Sequence, residues 1–362
     1  MSIGFESSLI ASLLVFVMVI SIGGNLLVIC ATIASRQLRK YANLLIFNLS
    51  ISDLLITCVN LPLRISQYMG YDVLDGIIGC QMSVALTIFL FTAANFNLFI
   101  LTLDRFFGVL YPLRYKLKLT NYRFFATITC GWFGALIVGA FPFFGWGRKT
   151  IRDSTTQKRQ IVCTFASVLK PGYVIFIEIG TLILPWTVMI TLYSFILRIG
   201  FVSARSFIRS TIHRTEAEHP NGRYDAKKVV SRKQSVGQTY AQELRMAKAV
   251  FVILSLYSIL MVPIGMMDLI DTISGQALVP YTAIKIGLLM AYANPAVNPP
   301  IYAISNSKYR KVFLKLLKWN SALQCVSKTM QPSVPNLVIE NRNANANTDL
   351  IRLRNLTFSE QI

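Results

Sequence analysis

The chain has 362 residues, of which 54% are hydrophobic and 14% charged, where a soluble domain carries roughly 25% charged residues; a water-soluble globule is excluded. Lys and Arg outnumber Asp and Glu by 36 to 16, for a net charge of +20, yet this excess needs no nucleic-acid partner, because it gathers on segments beside apolar runs. Only two histidines occur, His213 and His219, and no hydrolase, kinase or metal-site spacing is present, so the chain is not read as an enzyme.

Apolar runs long enough to cross a bilayer, about 20 residues, recur at roughly 8–34, 41–66, 78–109, 124–145, 173–200, 245–271 and 280–303. They predict an all-α membrane protein, a seven-transmembrane helix bundle over 8–303 with a short amphipathic eighth helix. Segments 33–41, 104–123, 198–248 and 303–362 carry net charges of +3, +4, +7 and +6, which is the whole excess. The positive-inside rule makes them cytoplasmic, with the N-terminus outside and the C-terminus inside a plasma membrane. No cleavable signal peptide is expected, since the first run lacks a basic leader and is too long for one; residues 1–7 are a short outer tail. The sequons at Asn48 and Asn355 fall in a helix and in the inner tail, so no N-glycosylation is predicted.

Helix one carries Gly23-Gly24-Asn25, small residues for close approach and an amide for an interhelical hydrogen bond. Asp53 sits deep in helix two and needs the bundle interior and a partner, a cation or a proton. The run from Cys80 ends in Asp104-Arg105-Phe106, charges at a helix end that mark a functional site or an interfacial anchor. Cys30, Cys58 and Cys130 fall within spans as small core residues. Cys80 and Cys163 both fall on the outer side, where oxidising conditions favour a disulfide. Segment 204–240 is long, polar and basic and reads as a flexible cytoplasmic loop. Segment 306–319, with Lys308, Arg310, Lys311 and Lys315 against apolar positions at helical spacing, reads as an interfacial helix on anionic lipid. Segment 320–362 reads as a disordered tail; Cys325 in it is either palmitoylated or a plain thiol.

Asn25, Leu49-Ser50-Ile51-Ser52-Asp53, Cys80, Asp104-Arg105-Phe106, Trp132, Cys163, Pro185, Tyr193, Pro263 and Asn298-Pro299-Pro300-Ile301-Tyr302 follow in this order, one set per helix. The series resembles the rhodopsin-like (class A) G-protein-coupled receptors over about residues 8–318. Within that class, Pro112-Leu113-Arg114-Tyr115-Lys116, Phe141-Pro142-Phe143-Phe144-Gly145-Trp146 and Glu243-Leu244-Arg245-Met246-Ala247-Lys248 are most similar to adenosine receptors.

The resemblance implies a receptor that passes the signal of an extracellular small-molecule ligand to a heterotrimeric G protein, with arrestin and membrane lipids as further partners. It implies that Arg105 pairs with Asp104 and Glu243 at rest and meets the Gα tail on activation. Asn298, Pro299, Tyr302 and Tyr193 resemble the switch that closes behind Arg105. Asp53, Asn294 and Asn298 resemble the family's sodium pocket, in which Ala94 replaces the usual serine, so sodium binding is expected to be weak and no other cofactor is expected. Pro142, Pro185 and Pro263 are expected to kink helices four, five and six.

The departures concern the core and the ligand. The helix-six signature reads Leu260-Met261-Val262-Pro263, with Met261 in place of the usual tryptophan. The usual Pro, Ile and Phe packing trio becomes Pro185, Asn95 and Tyr257, a pair able to hydrogen-bond across helices. The resemblance gives Arg64, Thr87, Ile88, Phe91, Phe165, Glu178, Asp268 and Tyr292 as ligand-binding candidates. Phe165 matches the residue that stacks on the purine, but Ala166, Asp268 and Ala291-Tyr292 replace its polar partners. Thr87 stands where amine receptors carry Asp, and Tyr292 where opsins carry Lys. An adenosine-receptor-like protein therefore stands beside a constitutively active or orphan receptor for a non-purine small molecule, lipid or peptide. A transporter is a distant third, since no inverted repeat or chain of midplane charges is present.

Overall fold

Backbone amides in hydrocarbon have no water to bond, so apolar runs of this length fold as helices. The structure, a computed structural model, describes residues 4–71, 76–111, 120–147, 165–215, 226–275 and 278–317, without the side chains of 76–77, 166–167, 200–215 and 226–247. Seven long helices follow one another: α1 (Phe5–Ala34), α2 (Tyr41–Tyr68), α3 (Gly76–Leu110), α4 (Asn121–Ala140), α5 (Pro171–Ile199), α6 (Ala226–Ser274) and α7 (Tyr281–Ser305). The helical backbone of α5 continues to Thr215. A short α8 (Ser307–Leu317) completes the described chain. The first six include stretches long and apolar enough to cross a membrane. Helix α7 is not among them; it has 25 residues but carries Lys285, Asn294, Asn298 and three internal prolines.

The helices close into a ring. Helix α1 packs on α2 and α7, α6 packs on α7, and α3 runs through the middle against α2, α4, α5 and α6. The pattern is inverted relative to a soluble protein. Phe16, Val19, Phe133 and Phe195 face outward, a surface suited to lipid, while Ser21, Asn25, Ser52, Asp53 and Thr102 lie fully inside. At Gly24 the approach of α1 to α7 is close enough that a Cβ would lie 2.8 Å from Pro299 Cγ. Small residues at such crossings let the backbones meet.

Prolines set the local chemistry. A proline has no N–H for the carbonyl four residues back, and three such carbonyls are taken up by side chains from other helices. Asn25 Nδ2 donates to Pro295 O (3.0 Å), four before Pro299. Asn95 Nδ2 donates to Thr181 O (3.1 Å), four before Pro185. The Tyr173 hydroxyl donates to Val138 O, four before Pro142. Pro142 does not kink α4 as expected; the α-helix stops at Ala140 and Pro142 lies in the 3₁₀ turn Phe141–Phe144 that follows. Pro185 follows a π-type turn, Glu178–Ile183, and α2 holds another at Ile56–Asn60 before Pro62.

Helix α8 lies back on the bundle. Tyr309, Phe313 and Leu316, at helical spacing, are buried against α1 and α7, while Arg310, Lys311 and Lys315 are exposed. Asn306 Oδ1 caps its start by accepting from Lys308 N (3.0 Å), and the Tyr309 hydroxyl bonds Thr32 Oγ1 (3.1 Å). The loop expected over 204–240 is shorter in backbone terms: helix runs to Thr215 and resumes at Ala226. Ala, Lys, Arg and Gln enrich the second flank, 226–247, and favour helix.

Candidate functional site

At the end of α3, the Arg105 guanidinium donates to Asp104 Oδ2 through Nε (2.9 Å) and Nη2, and both side chains are buried. A charge-assisted pair held within one helix can be exchanged for another partner without unfolding either residue. Phe106 packs at the edge of the main core cluster, and Tyr193, Tyr257 and Tyr302 lie within it. The Glu243 side chain lies outside the described residues, so its expected contact with Arg105 is not seen.

Deeper in the bundle, Asn298 Nδ2 donates to Asp53 Oδ2 (2.9 Å), joining α7 to α2. Asp53 Oδ1 and the Oδ1 atoms of Asn294 and Asn298 accept no hydrogen bond from the protein among the described residues. A carboxylate oxygen without a donor, beside an Asn298 amide oxygen also without one, suits a monovalent cation or water, so these two residues fit the implied sodium. A second polar chain fastens the neighbouring helices. Trp132 Nε1 donates to Asn48 Oδ1 (3.1 Å), Asn48 Nδ2 to Asn97 Oδ1 (2.7 Å), and Asn97 Nδ2 to Ser52 Oγ (3.3 Å).

Between this core and the far end of the bundle sits Asn95. Its amide N–H reaches the Thr181 carbonyl on α5, and its carbonyl oxygen accepts from the Tyr257 hydroxyl on α6. One side chain on α3 thus ties three helices and satisfies a carbonyl that Pro185 leaves without its backbone donor.

Asn95 also lines a cavity of about 100 Å³. Its wall includes Arg64 from α2, Thr87, Ile88 and Phe91 from α3, Phe165, Glu178 from the π-type turn of α5, and Met261 and Asp268 from α6. Seven of the eight expected ligand-binding residues therefore meet at one cavity. The eighth, Tyr292, lies beside it: its hydroxyl donates to Asn60 Oδ1 (2.5 Å) and its ring packs edge-on to Phe91 at 5.5 Å. Asn60 in turn donates to Thr87 Oγ1 (2.9 Å).

Three residues that sequence reasoning passed over prove structural to this site. Asn60 ties α2, α3 and α7; an amide inside an apolar run was the available signal. Thr181 supplies the carbonyl that Asn95 holds, and the i−4 relation to Pro185 was the signal. Gly265 lines the cavity where a Cβ would lie 2.6 Å from Glu178 Oε2; no periodicity marks it. Cys80 is disulfide-bonded. Cys163, its expected partner, and Cys325 lie outside the described residues, as do the tail beyond 317 and the Pro112–Lys116 stretch.

The described residues thus form a seven-helix bundle with a buried Asp-Arg pair at one end and a mixed polar cavity at the other. A family model described as "7 transmembrane receptor (rhodopsin family)" matches residues 24–302, and the chain belongs to that family. It is similar to the alpha-1A adrenergic receptors of Mus musculus (26% identical) and Oryctolagus cuniculus (27% identical), with 84% of this chain and 66% of each receptor covered. It is also similar to adenosine receptor A3 of Canis lupus familiaris, at 25% identity over 82% of this chain and 87% of that receptor. The chain thus spans just under two thirds of the length of the adrenergic relatives.

Proposed function

We propose that this protein is a G-protein-coupled receptor of the plasma membrane, with its cavity open to an extracellular small-molecule ligand and its Arg105 end in the cytoplasm. The single observation that carries this reading is Asn95. It lines the cavity and, through Tyr257 and Thr181, holds α5 and α6 in the core that ends at Arg105. A ligand that moves α5 or α6 must disturb these hydrogen bonds, and the buried core passes such shifts between discrete arrangements. Release of Arg105 from Asp104 then frees a guanidinium for the Gα subunit. The charge asymmetry of the loops supports the orientation, and the basic face of α8 supports contact with anionic lipid. Asp53, Asn294 and Asn298 would hold a sodium ion beside this path only weakly, since Ala94 stands where the family's serine completes the site.

The finer reading as an adenosine receptor rests on framework. The alignment to an adenosine receptor covers most of both chains, and Phe165 lines the cavity. The wall residues Thr87, Glu178 and Asp268 supply a different chemistry, which favours a ligand other than a purine.

The test is second-messenger output, cAMP and intracellular calcium, in cells expressing wild type and Arg105→Ala at matched surface levels. A basal or ligand-driven response that disappears in Arg105→Ala is expected. An equal response in both would contradict coupling through Arg105.

A further inference from the structure

The cavity carries a charge that the receptor reading does not use. Glu178 is 5% exposed, lines the cavity, and makes no hydrogen bond or ion pair among the described residues. A buried carboxylate without a partner is costly, and such groups persist where something else completes them. The residue faces Gly265 on α6, whose missing side chain leaves the carboxylate room. Asp268 lines the same cavity one helical turn further along α6, without a hydrogen bond or ion pair among the described residues though within the field of Arg64, and the two carboxylates are close enough to repel each other. The cation on the described wall, Arg64, already donates to Gln67 Oε1 (3.0 Å) on its own helix. By formal count, with Glu178, Asp268 and Arg64 all ionised, the described wall carries −1, with its acidic side on α5 and α6.

The rest of the wall is apolar. Ile88, Phe91, Phe165, Met261, Ile264 and Leu288 surround the carboxylates. The volume is comparable with cavities that take up a single aromatic ring, on the order of 150 Å³.

We propose that this cavity binds a small protonated amine with an aromatic or apolar body, its ammonium held between Glu178 and Asp268 and its body against Phe91 and Phe165. The ammonium supplies the donors that both carboxylates lack. This anchor joins α5 to α6, one turn above the Thr181 carbonyl that Asn95 holds, instead of using the Thr87 position on α3. The proposal rests on the receptor reading above for its consequence but not for its chemistry.

The test is thermal unfolding of the purified full-length protein in lipid nanodiscs. The probes are 2-phenylethylamine, tyramine and tryptamine, each beside its neutral alcohol (2-phenylethanol, tyrosol and tryptophol), with adenosine and calcium chloride for comparison. At least one amine should raise the unfolding temperature where its alcohol does not. Glu178→Gln should weaken that amine roughly tenfold to a hundredfold and shift preference toward the alcohol. Glu178→Asp, which keeps the charge, should retain the amine preference, so that loss in Glu178→Gln is not mistaken for misfolding. Several results overturn the proposal: no amine outperforming its alcohol, adenosine or calcium alone stabilising the protein, or Glu178→Gln binding amine as wild type does. Nucleotide exchange on Gα, read separately, distinguishes the two readings. Amine binding without exchange contradicts the receptor function and leaves the site. Exchange driven by another ligand, with no amine bound, leaves the function and removes the site.

Discussion

The two ends of the bundle hold their buried charges differently. Toward the Arg105 end, each buried charge is held by at least one protein partner, Asp104 with Arg105 and Asp53 with Asn298, and Trp132, Asn48, Asn97 and Ser52 form one chain, while Asp53 Oδ1 and the hydroxyls of Tyr193 and Tyr302 have no hydrogen-bond partner among the described residues. In the cavity, Glu178 and Asp268 line open space without a hydrogen-bond partner among the described residues. A region that must switch between arrangements needs defined partners in each, whereas a region that must bind keeps groups for its ligand. Stability and function are thus divided along the molecule, and substitutions at the two ends should differ in sign.

The largest expected effect is at the α1–α7 seam. Gly24→Leu would drive a side chain into Pro299 and should cost on the order of 3 kcal/mol, seen as a lower unfolding temperature in nanodiscs. An unchanged temperature would mean that α1 is free to move away. Next comes the joint between the two ends. Tyr257→Phe leaves Asn95 Oδ1 buried without its donor and should cost roughly 1–3 kcal/mol. Glu178→Gln should do the opposite in the absence of ligand: removal of an unpartnered buried charge should raise stability by about 1 kcal/mol. A loss there would break the comparison, since it would mean that Glu178 already has a partner. The smallest effect belongs to Trp132→Phe, which removes one hydrogen bond between α4 and α2 and should cost about 0.6 kcal/mol.

Much of the fold was legible because a bilayer permits so few alternatives. Length and apolarity placed the membrane-crossing part of each helix, but not the polar extensions that carry α5 to Thr215 and start α6 at Ala226; the polar residues in otherwise apolar runs marked the bundle interior. The spacing of Tyr309, Phe313 and Leu316 marked α8. What escaped was set by three-dimensional approach. Pro142 ends a helix instead of bending it, since the chain beyond it turns back and Tyr173 takes the Val138 carbonyl. The π-type turn that carries Glu178 changes which residues of α5 face inward, and heptad spacing cannot foresee it. Gly265 matters only because Glu178 lies opposite. The Asn95–Tyr257 contact, in contrast, was readable from two polar substitutions at facing positions, while the carbonyl it satisfies required the i−4 relation to Pro185.

The most direct test is a double-mutant cycle on basal nucleotide exchange, using Asn95→Ala, Tyr257→Phe and the pair, at matched receptor levels in membranes with purified G protein. If Asn95 and Tyr257 form one lock between cavity and core, each single variant should shift basal exchange in the same direction, and the pair should shift it no further. Exchange at the wild-type level in both single variants, or effects that simply add, would contradict the coupling on which this account of the receptor depends.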